Sequence, residues 1–225
     1  MLQERWPVAR HLERKMSKSS ETAVSARLRE YCSRGVQIGL TGAAGAGKTS
    51  FGRYVAHTVG LALHKEGVRE WLTTEALGMP DTLSDEAVGR LQLYLMQRFE
   101  AEGDFSLYDR TPIDAVFYAQ PASDLVDVAA LRERAFLWME RIDLIVLFPY
   151  RSELLMPDGF RDPDAMVQLM AQSGIVALLE EAGCLERVCV FEHHRSYRAN
   201  LLRMCECLDE MSARQRSGPG RLGQR

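Results

Sequence analysis

Eight consecutive residues, Gly42-Ala43-Ala44-Gly45-Ala46-Gly47-Lys48-Thr49, carry the pattern G-x-x-x-x-G-K-[ST] and, with Ser50 after them, some of the most specific chemistry in the chain. Glycines at this spacing let successive backbone N–H groups turn inward and form a concave nest for anions. The helix that follows the loop would add its unsatisfied N–H groups and positive dipole end to the same anion. The Lys48 ammonium is long enough to reach the β- and γ-phosphates of a nucleotide, and the Thr49 hydroxyl is an oxygen ligand for Mg²⁺. The flanking sequence agrees. Val36-Gln37-Ile38-Gly39-Leu40 alternates like a strand before the loop, and Thr49 to Val59 reads as a helix after it. A dinucleotide fingerprint does not fit, because Gly45 and Gly47 would require Gly or Ala where Ser50 stands. The expected ligand is Mg·ATP, with GTP an alternative.

The elements that must hold this loop follow from the patterning. Leu61 to Leu63 is a short second strand, a helix covers Arg69 to Leu77, and Gly78-Met79-Pro80 breaks it. Ser84 caps a helix on which Val88, Leu91, Leu95 and Phe99 share one face. Phe105 to Tyr108 is a third strand, and Pro112 opens the next helix, where its missing N–H does no harm. Ile142 to Phe148 is an apolar fourth strand, suited to a parallel sheet covered on both faces. Pro157-Asp158-Gly159 marks a loop, followed by a helix from Pro163 to Glu181, a fifth strand from Arg187 to Phe191, and a last helix from Ser196 to Met211. This order predicts an α/β fold: a doubly wound, parallel, five-stranded sheet with helices on both faces. The expected organisation is a helical N-terminal arm over 1–34, a nucleotide-binding domain over 35–212 with a lid near 150–165, and a disordered basic tail over 213–225.

Composition limits the partners. The apolar fraction of 46% and charged fraction of 26% are those of a globular chain. No apolar run approaches the roughly 18 residues of a membrane span, and the charged N-terminus lacks a signal-peptide core. Five cysteines without framework spacing fit a reducing cytoplasm. Residues 1–35 hold eight basic and four acidic side chains, and residues 212–225 hold four arginines and no acid. The whole chain is at −3, so the middle stands at about −11 (−3 − 4 − 4) and offers no basic stripe for nucleic acid. Solvated ends are the simpler reading. His193-His194 with Cys205 and Cys207 invites a zinc site, but residues two apart on a helix diverge, so the two cysteines do not share a metal easily.

In an open α/β sheet, ligands bind at the carboxyl ends of the strands. Glu66 and Asp109 follow strands there, as the Gly-rich loop does. The chain has no N-K-x-D guanine reader. Its third strand ends Asp109-Arg110, where a remodelling ATPase would carry Asp-Glu to polarise water. An arginine in that place suits an anionic or hydroxyl-rich acceptor.

The segments "EGVREW" from Glu66, "YDRTPIDAVFYA" from Tyr108 and "PDGFRDPD" from Pro157, in this order after the P-loop, resemble the ribosylnicotinamide-kinase-like group of P-loop proteins. The deoxynucleoside kinases are a more distant likeness, to which "LQLYLMQR" from Leu91 adds a base-reading glutamine, Gln92. The resemblance spans about residues 36–200. It implies that Glu66 orients or deprotonates the acceptor hydroxyl, and that Asp109 holds Mg²⁺ directly or through water. Arg110 would hold the acceptor or the transferring phosphoryl, Arg69 would line the acceptor pocket, and Arg161 would close over the phosphates from the lid. Thr111 stands where the group more often has Ser, and Gly67-Val68 lacks an aromatic beside the acceptor. Trp71, Tyr94 and Phe99 read as core residues, while Arg195 or Arg198 is placed to border an adenine. The implied activity is transfer of the γ-phosphoryl of ATP to a hydroxyl of a nucleoside-like or other small polar acceptor. The alternative is a nucleotide-dependent switch or partner-binding ATPase that phosphorylates nothing. Oligomeric state is open, a dimer being one option.

Overall fold

Alternation along the strands determines how this chain packs. On β4 (Leu144–Leu147), Leu144 and Val146 enter one apolar cluster while Ile145 and Leu147 enter another. On β3 (Leu107–Asp109), Leu107 and Tyr108 divide in the same way, as do Val188 and Cys189 on β5 (Val188–Val190). Successive side chains point to opposite faces of a strand, so a sheet built from such strands needs cover on both sides. With β1 (Ile38–Thr41) and β2 (Leu63–His64), the sheet runs β2-β3-β1-β4-β5, and among the described residues every strand pairing is parallel. The doubly wound five-stranded fold expected from the sequence is the one observed. The computed structural model describes residues 18–65, 67–75, 83–101, 105–150, 164–191 and 196–217.

One face is covered by α1 (Lys18–Ser33), α2 (Lys48–Val55) and α8 (Tyr197–Ser217). The other carries α4 (Asp85–Ala101), α5 (Pro112–Ala119), α6 (Val128–Met139) and α7 (Ala165–Glu181). The short α3 (Val68–Thr74) docks on α4, where Trp71 and Leu72 pack with Leu91 and Leu95. Trp71 and Phe99 are core residues, as their helical spacing implies, and Tyr94 is partly buried beside them. Among the described residues, no helix is long and apolar enough to cross a membrane.

Two expectations change. The stretch between Pro112 and β4 holds two helices rather than one, and α6 buries Leu131, Ala135, Trp138 and Met139 at helical spacing. The last helix runs to Ser217, so residues 213–217, expected in a disordered tail, are helical. The N-terminal helix expected from the sequence is present at Lys18–Ser33, and it docks into the domain: Val24, Leu28 and Cys32 lie in the core with Leu201, Met204 and Cys205 of α8. Its polar edge is fastened as well. Tyr31 donates to Asp209 at 2.7 Å, Arg27 pairs with the same carboxylate, and Arg29 donates to the Val59 carbonyl at 2.8 Å. Glu21 accepts from Tyr54 of α2 and pairs with Arg198 of α8 at 2.7 Å. Burial and the bond to Glu21 push the Tyr54 hydroxyl up to about 12.

The cysteines are all buried and unpaired, and Cys205 and Cys207 belong to the α1–α8 core. Burial pushes the thiols of Cys32 and Cys205 up to about 11 and about 12. His193 and His194, the other half of the zinc idea, lie outside the described residues.

Leu28 is fully buried between α1 and the sheet, so its truncation tests whether α1 belongs to the domain. Leu28→Ala should cost about 2–5 kcal/mol in urea unfolding, the usual range for a buried leucine. A dispensable arm would leave the midpoint where it was.

Candidate nucleotide and acceptor site

Because the strands are parallel, their carboxyl ends lie on one edge, and the candidate residues gather there. β1 is central and leads into the glycine loop. In register, Leu40 lies beside Asp109 and Thr41 beside Leu147, so the loop rises between the ends of β3 and β4. Gly42 has φ +127°, and a Cβ there would sit 2.3 Å from the Phe148 carbonyl oxygen. Only glycine lets the chain leave β1 so close to the end of β4. Gly45 and Gly47 also take positive φ, which gives the loop the backbone turns of an anion nest.

Lys48 is 5% exposed, and its ammonium donates to the carbonyls of Gly42 and Ala43 at 2.6 and 2.8 Å. The charge is thus centred in its own loop. Thr49 is half-buried and Ser50 exposed on the first turn of α2. Ala43 and Ala46 are buried, and Ala44 is half-buried.

Asp109 ends β3 at 2% exposure, against a helix α2 that packs on this strand. The Thr49 hydroxyl and the Asp109 carboxylate are both oxygen donors, the kind of ligand that Mg²⁺ takes. The donor set therefore fits the expected cation.

The next residue carries the backbone's one conspicuous distortion among the described residues. Arg110 has φ +110°, the only non-glycine there with a positive φ. Such a conformation costs a bulky L-residue roughly 1–3 kcal/mol and persists where the surroundings enforce it. The turn carries the Arg110 guanidinium back over α5, 3.6 Å from Asp114 and 5.4 Å from the centre of the Tyr118 ring. Gly39 helps to seat α5: a Cβ there would fall 2.6 Å from the Thr111 methyl. Thr111 and Asp114 form a reciprocal cap at the start of α5. Asp114 is a participant the residue pattern leaves silent. It stands inside "DRTPID", but only the fold reveals that it also accepts from Thr41, at 2.9 Å, at the foot of the glycine loop.

Gln92 is buried on α4, the helix packed against α5, and its side-chain oxygen has no hydrogen-bond partner among the described residues. An unsatisfied buried amide is costly and marks a place where a ligand can supply the missing donor. Arg69 is exposed at the first turn of α3. Arg198, considered for the adenine, is held by Glu21 instead. Glu66, Arg161, Arg195 and most of the expected lid lie outside the described residues. The structure therefore brings together the glycine loop, Lys48, Thr49, Asp109 and Arg110 at one sheet edge.

A family profile described as an AAA domain matches residues 37–190. No curated protein matches the sequence. Among solved structures, NadR in complex with NR superimposes with a TM-score of 0.60 at 19% identity, over 82% of this chain and 54% of that one. NadR with NAD and AMP-PNP gives 0.57 at 17%, over 87% and 54%. Deoxyadenosine kinase from M. mycoides, with products dCMP and dCDP, gives 0.53 at 14%, over 78% and 100%. The chain thus spans about half the length of the NadR structures. At these identities the likeness holds at the level of fold.

The distortion at Arg110 separates backbone from side chain. Arg110→Gly and Arg110→Ala both lose the guanidinium, but only glycine is at ease at this φ. The glycine variant should be the more stable of the two by about 1 kcal/mol in thermal or urea unfolding. Equal stabilities would mean that the turn carries no strain.

Proposed function

The chain belongs to the AAA-domain family, and from that premise we propose that it is an ATP-dependent kinase for a nucleoside-like or other small polar acceptor. The reading rests above all on Asp109-Arg110. The strand beside the glycine loop ends in a carboxylate followed by a guanidinium drawn inward by its own backbone. A water-activating glutamate would be expected at that point in an ATPase built to hydrolyse. A cation there suits holding an acceptor or a phosphoryl group in passage.

The residues divide the work as follows. The backbone N–H groups of residues 42–49 and the Lys48 ammonium hold the β- and γ-phosphates. Thr49 and Asp109 hold Mg²⁺, which when bound neutralises phosphate charge. Glu66 takes the proton of the acceptor hydroxyl, Gln92 reads a polar edge of the acceptor, and Arg69 borders it from α3. Arg110 orients the acceptor or the transferring group, and Arg161 adds charge from the lid. Catalysis is then positioning and charge neutralisation in a site that excludes water. The ligands of the neighbouring folds, NR in NadR and deoxynucleotides in deoxyadenosine kinase, suggest which acceptors to try first. Buried, unpaired thiols are compatible with a cytoplasmic setting.

Two substitutions test this proposal. Lys48→Ala should weaken Mg·ATP binding at least tenfold, since a charge-assisted contact of about 1.5–3 kcal/mol is removed. Glu66→Gln should lower acceptor-dependent ADP release by roughly 10²–10⁴-fold while leaving ATP affinity nearly unchanged. The assay uses a panel of nucleosides, ribosylated bases and small alcohols. If none raises ADP release above its basal rate, the kinase reading fails and a partner-responsive ATPase takes its place.

A further inference from the structure

A cap at the start of α5 needs only one carboxylate oxygen, and Asp114 supplies considerably more. Its Oδ2 accepts from the Thr111 N–H, the Thr111 hydroxyl and the Thr41 hydroxyl, each at 2.9 Å. Thr41 is 73 residues away in sequence, on the central strand, and immediately precedes the first glycine of the phosphate loop. The other oxygen, Oδ1, faces the Arg110 guanidinium at 3.6 Å. Asp114 is 1% exposed, so both sets of contacts operate away from water.

We propose that Asp114 is a positioning residue that holds the Arg110 guanidinium in a fixed relation to the phosphate loop. The proposal rests on the kinase reading's assignment of Arg110. One carboxylate gives the loop's foot and the cation a common anchor: Oδ2 ties β1 to the α5 cap, and Oδ1 draws in the guanidinium. Tyr118, one turn further along α5, supports the cation's face. The positive φ of Arg110 fits the same purpose, because it turns the side chain back onto α5 where Asp114 can meet it. A buried carboxylate in this arrangement acts on the guanidinium as a neutral amide cannot, since the 3.6 Å contact at Oδ1 is ionic and depends on the charge.

The test separates this role from a helix cap. Asp114→Asn keeps an acceptor oxygen for the cap but loses the charge. In ¹⁵N-arginine NMR, the Arg110 Nε resonance, assigned by its loss in Arg110→Lys, should shift and broaden in Asp114→Asn. With nicotinamide riboside and deoxyadenosine as acceptors, kcat for ADP release should fall roughly 10–100-fold, while Mg·ATP affinity changes less than about threefold. The double variant Asp114→Asn with Arg110→Ala should be no slower than Arg110→Ala alone, because the two residues act as one unit. Should Asp114→Asn fail to fold, Asp114→Glu replaces it, with its charge retained but carried one methylene further out. An unchanged Arg110 resonance, or effects on kcat that multiply, would overturn the proposal. If Arg110→Ala itself leaves ADP release unaltered, the assignment of Arg110 in the kinase reading fails. The resonance then still decides whether Asp114 holds it.

Discussion

Because β1 is hydrogen-bonded in parallel on both edges, to β3 and to β4, it has no freedom of register, direction or height in the sheet. Everything at the site inherits that immobility. The glycine loop leaves from the end of β1, Asp109 comes level with Leu40 from one side, and Phe148 closes on Gly42 from the other. Burial supplies the enforcement. A one-residue slip would turn each strand's two apolar sets onto the wrong faces, which the two helical layers would not accept. The apolar core thus fixes the positions of polar groups that take no part in it.

Within that frame, electrostatics is handled locally. Among the described residues, the sheet edge collects two cations and two carboxylates: Lys48 and Arg110, Asp109 and Asp114. Lys48 is held by carbonyls of its own loop, and Arg110 stands against Asp114 and Tyr118. Pre-placed charge of this kind is effective because nothing has to reorganise when a polar or charged group binds. It also accounts for the one non-glycine residue of positive φ among the described residues: the favourable contacts of the guanidinium offset the strain.

Much of this was legible in the residue order, for physical reasons. A glycine loop between a strand and a helix is readable because its backbone demands are met by few residue types. The parallel sheet is readable because strands buried on both faces are continuously apolar. Asp109 and Arg110 could be singled out as polar groups ending an apolar strand. Asp114 could not, since its partner Thr41 is distant in sequence and a threonine at a strand end says nothing of a bond across the sheet. The helix α6 escaped because Leu137, apolar but exposed, lies outside its buried face and Phe136 lies at that face's margin, which blurs the period. The place of α1 in the core was hidden by its charges, which lie on the edge facing Asp209, Val59 and α2.

The clasp between α1 and α8 has a consequence for the ribosome rather than for the finished protein. Arg27 meets Asp209 across 182 residues, and the thiol of Cys205 donates to the Val24 carbonyl across 181. At about 5–20 residues per second, α1 emerges roughly 10–40 s before the helix that buries it. Until then Val24 and Leu28 can be sheltered only by chaperones or by provisional contacts with the half-built sheet. Closure of so long a loop must come late, and it seals the face on which the phosphate-loop helix rests.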